Sequence, residues 1–123
     1  MIIVMTLLLL VVMPSPALAC SSDLFEIVAN GKKLFHGKGV CFKCHGTNGD
    51  GKYDPDEMVD KLNPRPTDLT RQENLKYDSD TGRYSAIRNG IKGTGMPAFR
   101  GILHDHEIRL IIEYLEFIKD GRC

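Results

Sequence analysis

Hydrophobic residues recur every three to four positions near the end of the chain, a spacing that predicts a long amphipathic helix. The helix is expected to start near Asp105 and to end at residues 120–121, where an aspartate is followed by a glycine. Its apolar stripe consists of Ile108, Ile111, Ile112, Leu115 and Ile118. Such a stripe on an otherwise polar helix is typical of packing against a core.

A second helix is predicted earlier in the chain, capped by Ser22 or Asp23 and running to about Phe35 or His36. Its apolar residues fall roughly on one face: Leu24, Ile27, Val28, Leu34 and Phe35. Gly31 interrupts this helix, where a glycine costs about 1 kcal/mol relative to alanine. The close approach of another helix would explain it, and a tolerated surface glycine is the alternative.

Two shorter helices are predicted between these, over residues 55–62 and 82–89, the second beginning after Asp80 or Thr81. The second should turn three side chains inward: Tyr84, Ile87 and Ala86. Residues 63–70 contain two prolines and are expected to be extended, because a residue before proline avoids the helical region. No segment alternates in the manner of a strand, so we predict an all-α domain of three to five helices.

The N-terminus has the pattern of an export signal. Residues 2–13 are apolar except for one threonine, and Ala17, Leu18 and Ala19 supply a small-x-small cleavage site. The apolar run is shorter than the roughly 20 residues that a membrane-spanning helix needs. We therefore predict a signal peptide at residues 1–19, a mature domain at residues 20–123, and export to the periplasm.

Cleavage after Ala19 would leave Cys20 as the first residue of the mature chain. Secretion as a soluble protein is one interpretation, and a lipid anchor on Cys20 that holds the protein at a membrane face is another. Retention of the uncleaved segment as an anchor is a third. Cys20 and Cys123 either pair in a disulfide or remain two unrelated thiols.

The charges are balanced, with 16 basic and 16 acidic residues, so nothing indicates nucleic acid as a partner. A domain of only about 100 residues buries a small core and often needs additional stabilisation from a cross-link or a bound group. A large apolar cofactor held covalently would provide it.

The strongest chemical signal is Cys41 and Cys44 followed directly by His45, a C-x-x-C-H motif. In c-type haem attachment each thiol adds across one vinyl group of the porphyrin, and the histidine binds the iron. We therefore predict one covalent haem c, with Cys41 and Cys44 as attachment points and His45 as an axial ligand.

Met96 is the predicted sixth iron ligand. It lies in a glycine-rich loop and precedes Pro97, so the backbone can pass close to a flat porphyrin and is then restricted. A thioether is a soft ligand, and Met/His ligation raises the reduction potential. Five alternatives remain open: Met96 as a core residue, ligation by Met58, and ligation by His36, His104 or His106.

Two other metal sites are alternatives. A zinc site is conceivable from Cys41, Cys44, His45 and a further histidine, but it leaves the Met96 loop without a purpose. Residues 48–56 contain scattered acidic side chains that resemble calcium ligands but do not fit the EF-hand pattern.

With these motifs the chain resembles the class I cytochrome c family, specifically small bacterial monohaem carriers, from about residue 25 to residue 118. The resemblance implies a fold in which the first and last helices cross at a glycine, here Gly31. It also implies packing of Phe35, Ile111 and Tyr114 around the crossing, and a proline carbonyl that accepts a hydrogen bond from the ligand histidine. Pro64 is the candidate for that carbonyl, with Pro66 second.

The expected function is one-electron transfer between redox partner proteins in the periplasm or at a membrane face, by a monomeric carrier and not an enzyme. Lys38, Lys43 and Lys92 are candidates for the partner-docking rim, with ordinary solubilising lysines as the alternative. Arg65 is a candidate neighbour of a haem propionate. Other hypotheses are a haem subunit of a larger oxidoreductase, a haem-based sensor or enzyme with a labile methionine, and a thiol–disulfide oxidoreductase.

Overall fold

The computed structural model describes residues 21–53, 57–71, 77 and 79–121. In these residues the chain forms five helices and no strand, apart from one isolated bridge between Arg100 and Leu103. In chain order the helices are α1 (Ser22–His36), α2 (Phe42–His45), α3 (Glu57–Asp60), α4 (Asp80–Asn89) and α5 (Asp105–Asp120). The predicted all-α architecture is thus confirmed.

The two long helices start and stop close to where their sequence signals predict. The cap of α1 is Ser21, whose hydroxyl accepts a hydrogen bond from the Leu24 amide at 3.2 Å, so the prediction of Ser22 or Asp23 was wrong by one or two residues. Helix α5 begins after His104, whose backbone N–H donates to the Glu107 carboxylate at 2.8 Å. These contacts satisfy amide groups that have no partner within the first turn.

The two shorter helices differ more from expectation. Helix α3 is described over Glu57–Asp60 and ends two residues before the predicted end at residue 62; the predicted start at residue 55 lies outside the described part of the chain. Helix α4 is capped by Ser79, whose hydroxyl accepts from the Gly82 amide at 3.0 Å. Ile87 is buried on α4 as predicted, but so is Arg83, a charged residue that the hydrophobic pattern did not place inside.

Helices α1 and α5 cross in van der Waals contact at Gly31. A Cβ atom built at this position would lie 2.0 Å from the Leu110 carbonyl oxygen and 2.8 Å from the Cβ of Tyr114. Real side chains do not approach backbone atoms so closely, so only glycine fits here. This confirms the role that the family resemblance implied for Gly31.

The core is built around this crossing. Phe35 is 1% exposed and meets Tyr114 edge to face, with ring centroids 5.4 Å apart. The other buried apolar residues of the central cluster come from α4, α5 and the segment between them: Ile87, Phe99, Leu103, Ile108, Ile111, Ile112 and Leu115. Ile118, the last member of the predicted stripe, is half-buried at its edge. Within the described residues, no helix combines the length and apolarity needed to cross a membrane.

The Gly31 contact gives the first testable prediction. Gly31→Ala should destabilise the haem-loaded protein by about 3 kcal/mol or more, because the added methyl group forces the helices apart. Guanidinium unfolding followed by haem absorbance measures the effect. The neighbouring exposed substitution Asn30→Ala serves as control and should change the unfolding free energy by less than about 0.5 kcal/mol. Equal stability of both variants would contradict the tight crossing.

Candidate functional site

The C-x-x-C-H motif forms a single helical turn, α2, directly after a tight reversal of the chain. The reversal contains Val40, which has a positive φ of 44°, unusual for a β-branched residue. The Cys41 amide donates to the Phe35 carbonyl at 2.9 Å, so the motif is tied back to the last turn of α1. The His45 amide donates to the Cys41 carbonyl at 2.9 Å, which closes the helical turn. Cys41 and Cys44 are three residues apart on this turn and therefore lie on one face.

Cys41, Cys44 and His45 all line one cavity of about 590 Å³. Its volume is within the range of small-molecule and cofactor sites, and most such sites are apolar. The apolar part of the lining includes Phe35, Val59, Leu62, Ile87, Ile91, Phe99, Ile111 and Leu115. The cavity therefore joins the chemical motif to the hydrophobic core.

The His45 ring is oriented by a hydrogen bond from Nδ1 to the Thr67 carbonyl oxygen, at 2.9 Å. Since a carbonyl only accepts, Nδ1 carries the proton and Nε2 keeps a lone pair for a metal. The prediction of Pro64, with Pro66 second, as the acceptor was wrong. Both prolines line the cavity wall, and the chain presents the carbonyl of the next residue, Thr67, to the histidine instead.

Burial favours the neutral form of His45. Desolvation lowers the pKa of the imidazole, and the hydrogen bond to Thr67 only partly opposes this shift. A neutral imidazole with a protonated Nδ1 is the form that binds a metal through Nε2.

The segment that supplies the Thr67 carbonyl is held against the loop after the motif. The Leu69 amide donates to the Gly49 carbonyl at 2.7 Å, and the Gly51 amide donates to the His45 carbonyl at 2.8 Å. Gly49 has a φ of 72°, a conformation that favours glycine. This loop therefore fixes the distance between His45 and its acceptor.

The two thiols of the motif are not joined in a disulfide. Burial raises the pKa of the Cys41 thiol to about 12, with a smaller contribution from the neighbouring Cys44 and opposition from a backbone hydrogen bond. In this environment Cys41 is a protonated thiol and a poor nucleophile, unlike the low-pKa cysteine of a thiol–disulfide oxidoreductase.

Met96 contributes to the same cavity from a loop that is closed by its own hydrogen bonds. The Met96 amide donates to the Thr94 hydroxyl at 3.1 Å, and that hydroxyl donates to the Ile91 carbonyl at 2.8 Å. The Ile91 amide in turn donates to the Met96 carbonyl at 3.2 Å. The side chain is half-buried and packs against the core cluster.

The structure places the three rival histidines away from the cavity lining. Both ring nitrogens of His36 lie against backbone carbonyl oxygens, those of Lys32 at 2.9 Å and Thr47 at 2.7 Å. His104 and His106 are exposed and stack on each other with ring centroids 5.7 Å apart. The side chain of Met58, the remaining rival, lies outside the described residues.

The alternative metal sites find no support in the described part of the chain, which holds no cluster of three or more His, Cys, Asp or Glu suited to a metal ion. In contrast, the large apolar cavity with two thiols and a neutral imidazole in its wall fits a covalently bound haem.

Arg65 also lines the cavity; it is exposed, and its guanidinium lies 3.8 Å from the Asp60 carboxylate.

Two residues of this site were not predicted from the sequence. Thr67 acts through its backbone carbonyl, which every residue possesses, so no sequence signal marks it. Arg83 lines the cavity and is only 6% exposed. Its position four residues before Ile87, on the same face of α4, is the signal that would have indicated its burial.

Comparison with known proteins agrees with this geometry. The family model described as Cytochrome c matches residues 28–119. Among solved structures, the chain is similar to a chain of the reducing HAO-like protein complex of Kuenenia stuttgartiensis, with 27% identity and a TM-score of 0.65. That match covers 76% of this chain and 44% of the other, so this chain spans less than half of the other's length. The search of curated proteins gave no match.

The family match extends from α1 through α5 and includes the C-x-x-C-H turn, the cavity and the methionine loop. Members of this family bind covalent haem c and transfer electrons, and Cys41 and Cys44 fit the attachment motif. The chain belongs to the cytochrome c family.

Proposed function

We propose that this protein is a one-electron carrier whose haem iron is bound by His45 and Met96. The observation that carries the proposal is the convergence of Cys41, Cys44, His45 and Met96 on one cavity, from two segments about 50 residues apart. A haem held by these residues would supply a change of oxidation state, and with both His45 and Met96 on the iron no position would remain for a substrate.

The chain's own contribution is a rigid setting for both ligands. The hydrogen bond to Thr67 fixes the His45 ring, and the bonds among Ile91, Thr94 and Met96 fix the methionine loop. When neither ligand moves much on a change of charge, electron transfer needs little rearrangement. The apolar lining excludes water and favours the less charged, reduced state.

The side chains at the motif and the ligand loop support docking of redox partners. Lys43 and Lys92 are exposed and line the cavity, as does the half-exposed Val40. Lys38 is less suited to the role, because its ammonium lies 2.6 Å from the Glu107 carboxylate. An exposed apolar side chain with two cations near it fits a transient encounter with an acidic partner surface.

A second function is favoured by one specific observation. The similar solved chain is part of a protein complex and is more than twice as long as the shared region. By analogy, this chain would serve as the haem subunit of a larger oxidoreductase, receiving electrons from or passing them to a fixed partner rather than diffusing between two.

Export is part of the proposal. Cleavage after Ala19 would yield a mature domain of residues 20–123, which includes the whole family match at 28–119. The mature chain would act in the periplasm as a soluble monomer, or at a membrane face if Cys20 carries a lipid.

The ligand assignment is tested by paired methionine substitutions. In the oxidised wild-type protein we expect an absorption band near the red edge of the visible spectrum, which reports methionine sulfur on iron. Met96→Ala should abolish that band, lower the reduction potential and open the iron to carbon monoxide, because the soft ligand is lost. Met58→Ala is the matched control and should leave all three unchanged. The assignment to Met96 is wrong if the band survives Met96→Ala.

Mass spectrometry of the protein purified from its native host tests export and attachment together. We expect the mass of residues 20–123 plus one haem. An additional acyl mass on Cys20 would indicate a lipid anchor. Retention of residues 1–19 would contradict the predicted cleavage, and a mass without haem would contradict the covalent site.

Free carrier and enzyme subunit are distinguished by affinity purification of the tagged chain from the soluble and membrane fractions of the native host. A free carrier should elute alone and migrate as a monomer in gel filtration, because its encounters are transient. Recovery of a larger protein in constant stoichiometry at high salt would instead support the subunit function.

A further inference from the structure

The cavity wall contains a buried cation that the proposed function does not use. Arg83 is 6% exposed, and it is the buried one among the Lys and Arg residues that line the cavity. The other cationic residues of the lining, Lys43, Arg65 and Lys92, are exposed to water. Solvent screens charges at those three positions far more than at Arg83.

Arg83 is paired on the side that faces α5. Its guanidinium donates to the Glu116 carboxylate, and this carboxylate also lies 3.1 Å from the ammonium of Lys119. The Lys119 side chain is 6% exposed and lies 3.9 Å from Asp120 as well. The acid and both cations therefore form one network at the contact between α4 and α5.

The network has an orientation relative to the cavity. Arg83 belongs to the lining, whereas Glu116, Lys119 and Asp120 do not. The positive end of the Arg83–Glu116 pair is thus nearer to the cavity than the negative end. A haem held there would experience a net positive potential from the pair, in surroundings that screen it weakly.

Packing does not require an arginine at this position. Arg83 is followed four residues later by Ile87 on the same face of α4, so an apolar residue would continue the buried stripe. Replacing a buried ion pair by well-packed apolar residues is often neutral or stabilising. The ion pair therefore needs an explanation beyond packing.

We infer that the positive charge of Arg83 raises the reduction potential of the haem. The negative charge of Glu116 limits this increase. Reduction adds one electron, taken from a redox partner, and lowers the charge of the site by one. A fixed cation in the wall favours the state with the extra electron, and a fixed anion favours the state without it. The inference rests on the proposed electron-transfer function, since it concerns the potential at which that function operates.

The test is redox titration of the haem-loaded protein, followed by absorbance, for substitutions of opposite sign. Arg83→Met should lower the potential, equivalent to a fall of about three- to tenfold in the equilibrium constant for reduction. Glu116→Gln should raise it, because Arg83 and Lys119 then lose their shared anion. The double substitution Arg83→Met with Glu116→Leu should give a value between wild type and Arg83→Met, because the cation is the nearer charge.

A matched pair on the surface provides the control. Arg88 lies on the same helix as Arg83, is outside the cavity lining, and pairs with the exposed Asp105 at 3.4 Å. Arg88→Met and Asp105→Asn change the net charge by the same amounts as the test substitutions. Their potentials should remain close to that of the wild type, because solvent screens them.

Arg83→Lys keeps the charge and should retain most of the wild-type potential, which separates charge from shape. Shifts of the same sign for Arg83→Met and Glu116→Gln, or shifts no larger than those of the surface pair, would overturn the inference. A purely structural role would lower the unfolding midpoint and leave the potential in place. If Arg83→Met does not fold, the other two variants are compared with the wild type: Glu116→Gln must raise the potential and the double variant must lower it, and failure of either overturns the inference.

The outcomes also separate this inference from the proposed function. A wild-type protein without the methionine–iron band contradicts the axial ligation, whatever the potentials of the Arg83 variants. A normal spectrum with no opposed shifts overturns the role of Arg83 alone.

Discussion

The structure depends on one steric constraint, the contact between the backbones of α1 and α5 at Gly31. The position leaves no room for a Cβ, because the Leu110 carbonyl occupies that space. Close approach brings Phe35 edge to face against Tyr114, and Phe35 and Ile111 line the cavity on this side. The Cys41 amide is bonded to the Phe35 carbonyl, so the helix crossing also positions the attachment motif. Packing between the first and last helices and the chemistry of the site are therefore parts of one arrangement.

The two proposed iron ligands are supported in different ways. His45 is held by contacts distant in sequence, through Thr67 and through the pairing of Leu69 with Gly49. Met96 is held by bonds to residues within five positions of it. Burial keeps the His45 imidazole neutral, whereas the methionine carries no charge at any pH. The chain thus offers one ligand fixed by tertiary structure and one fixed by local loop geometry.

Much of this arrangement follows from the sequence, and the exceptions have physical causes. The periodicity of α5 and its flanking Asp105 and Gly121 predict its bounds, because burial and capping act locally. The motif residues and the Met96 loop are recognisable because their chemistry demands specific side chains at fixed spacing. The carbonyl of Thr67 is not recognisable, since its role depends on the path of an irregular segment. Arg83 was missed because a charged residue is normally placed outside, and its burial depends on Glu116 from another helix.

The methionine loop has one further consequence. The two residues that follow the loop are hydrogen-bonded to the end of α4. The Phe99 amide donates to the Ile87 carbonyl at 3.0 Å, and the Arg100 amide donates to the Arg88 carbonyl at 3.0 Å. The first and last residues of the loop 90–98 are thus held close to each other at the end of α4. We therefore expect that residues 90–98 can be exchanged as a unit, with a different side chain in place of the proposed ligand Met96, while the helix crossing and the attachment motif remain intact.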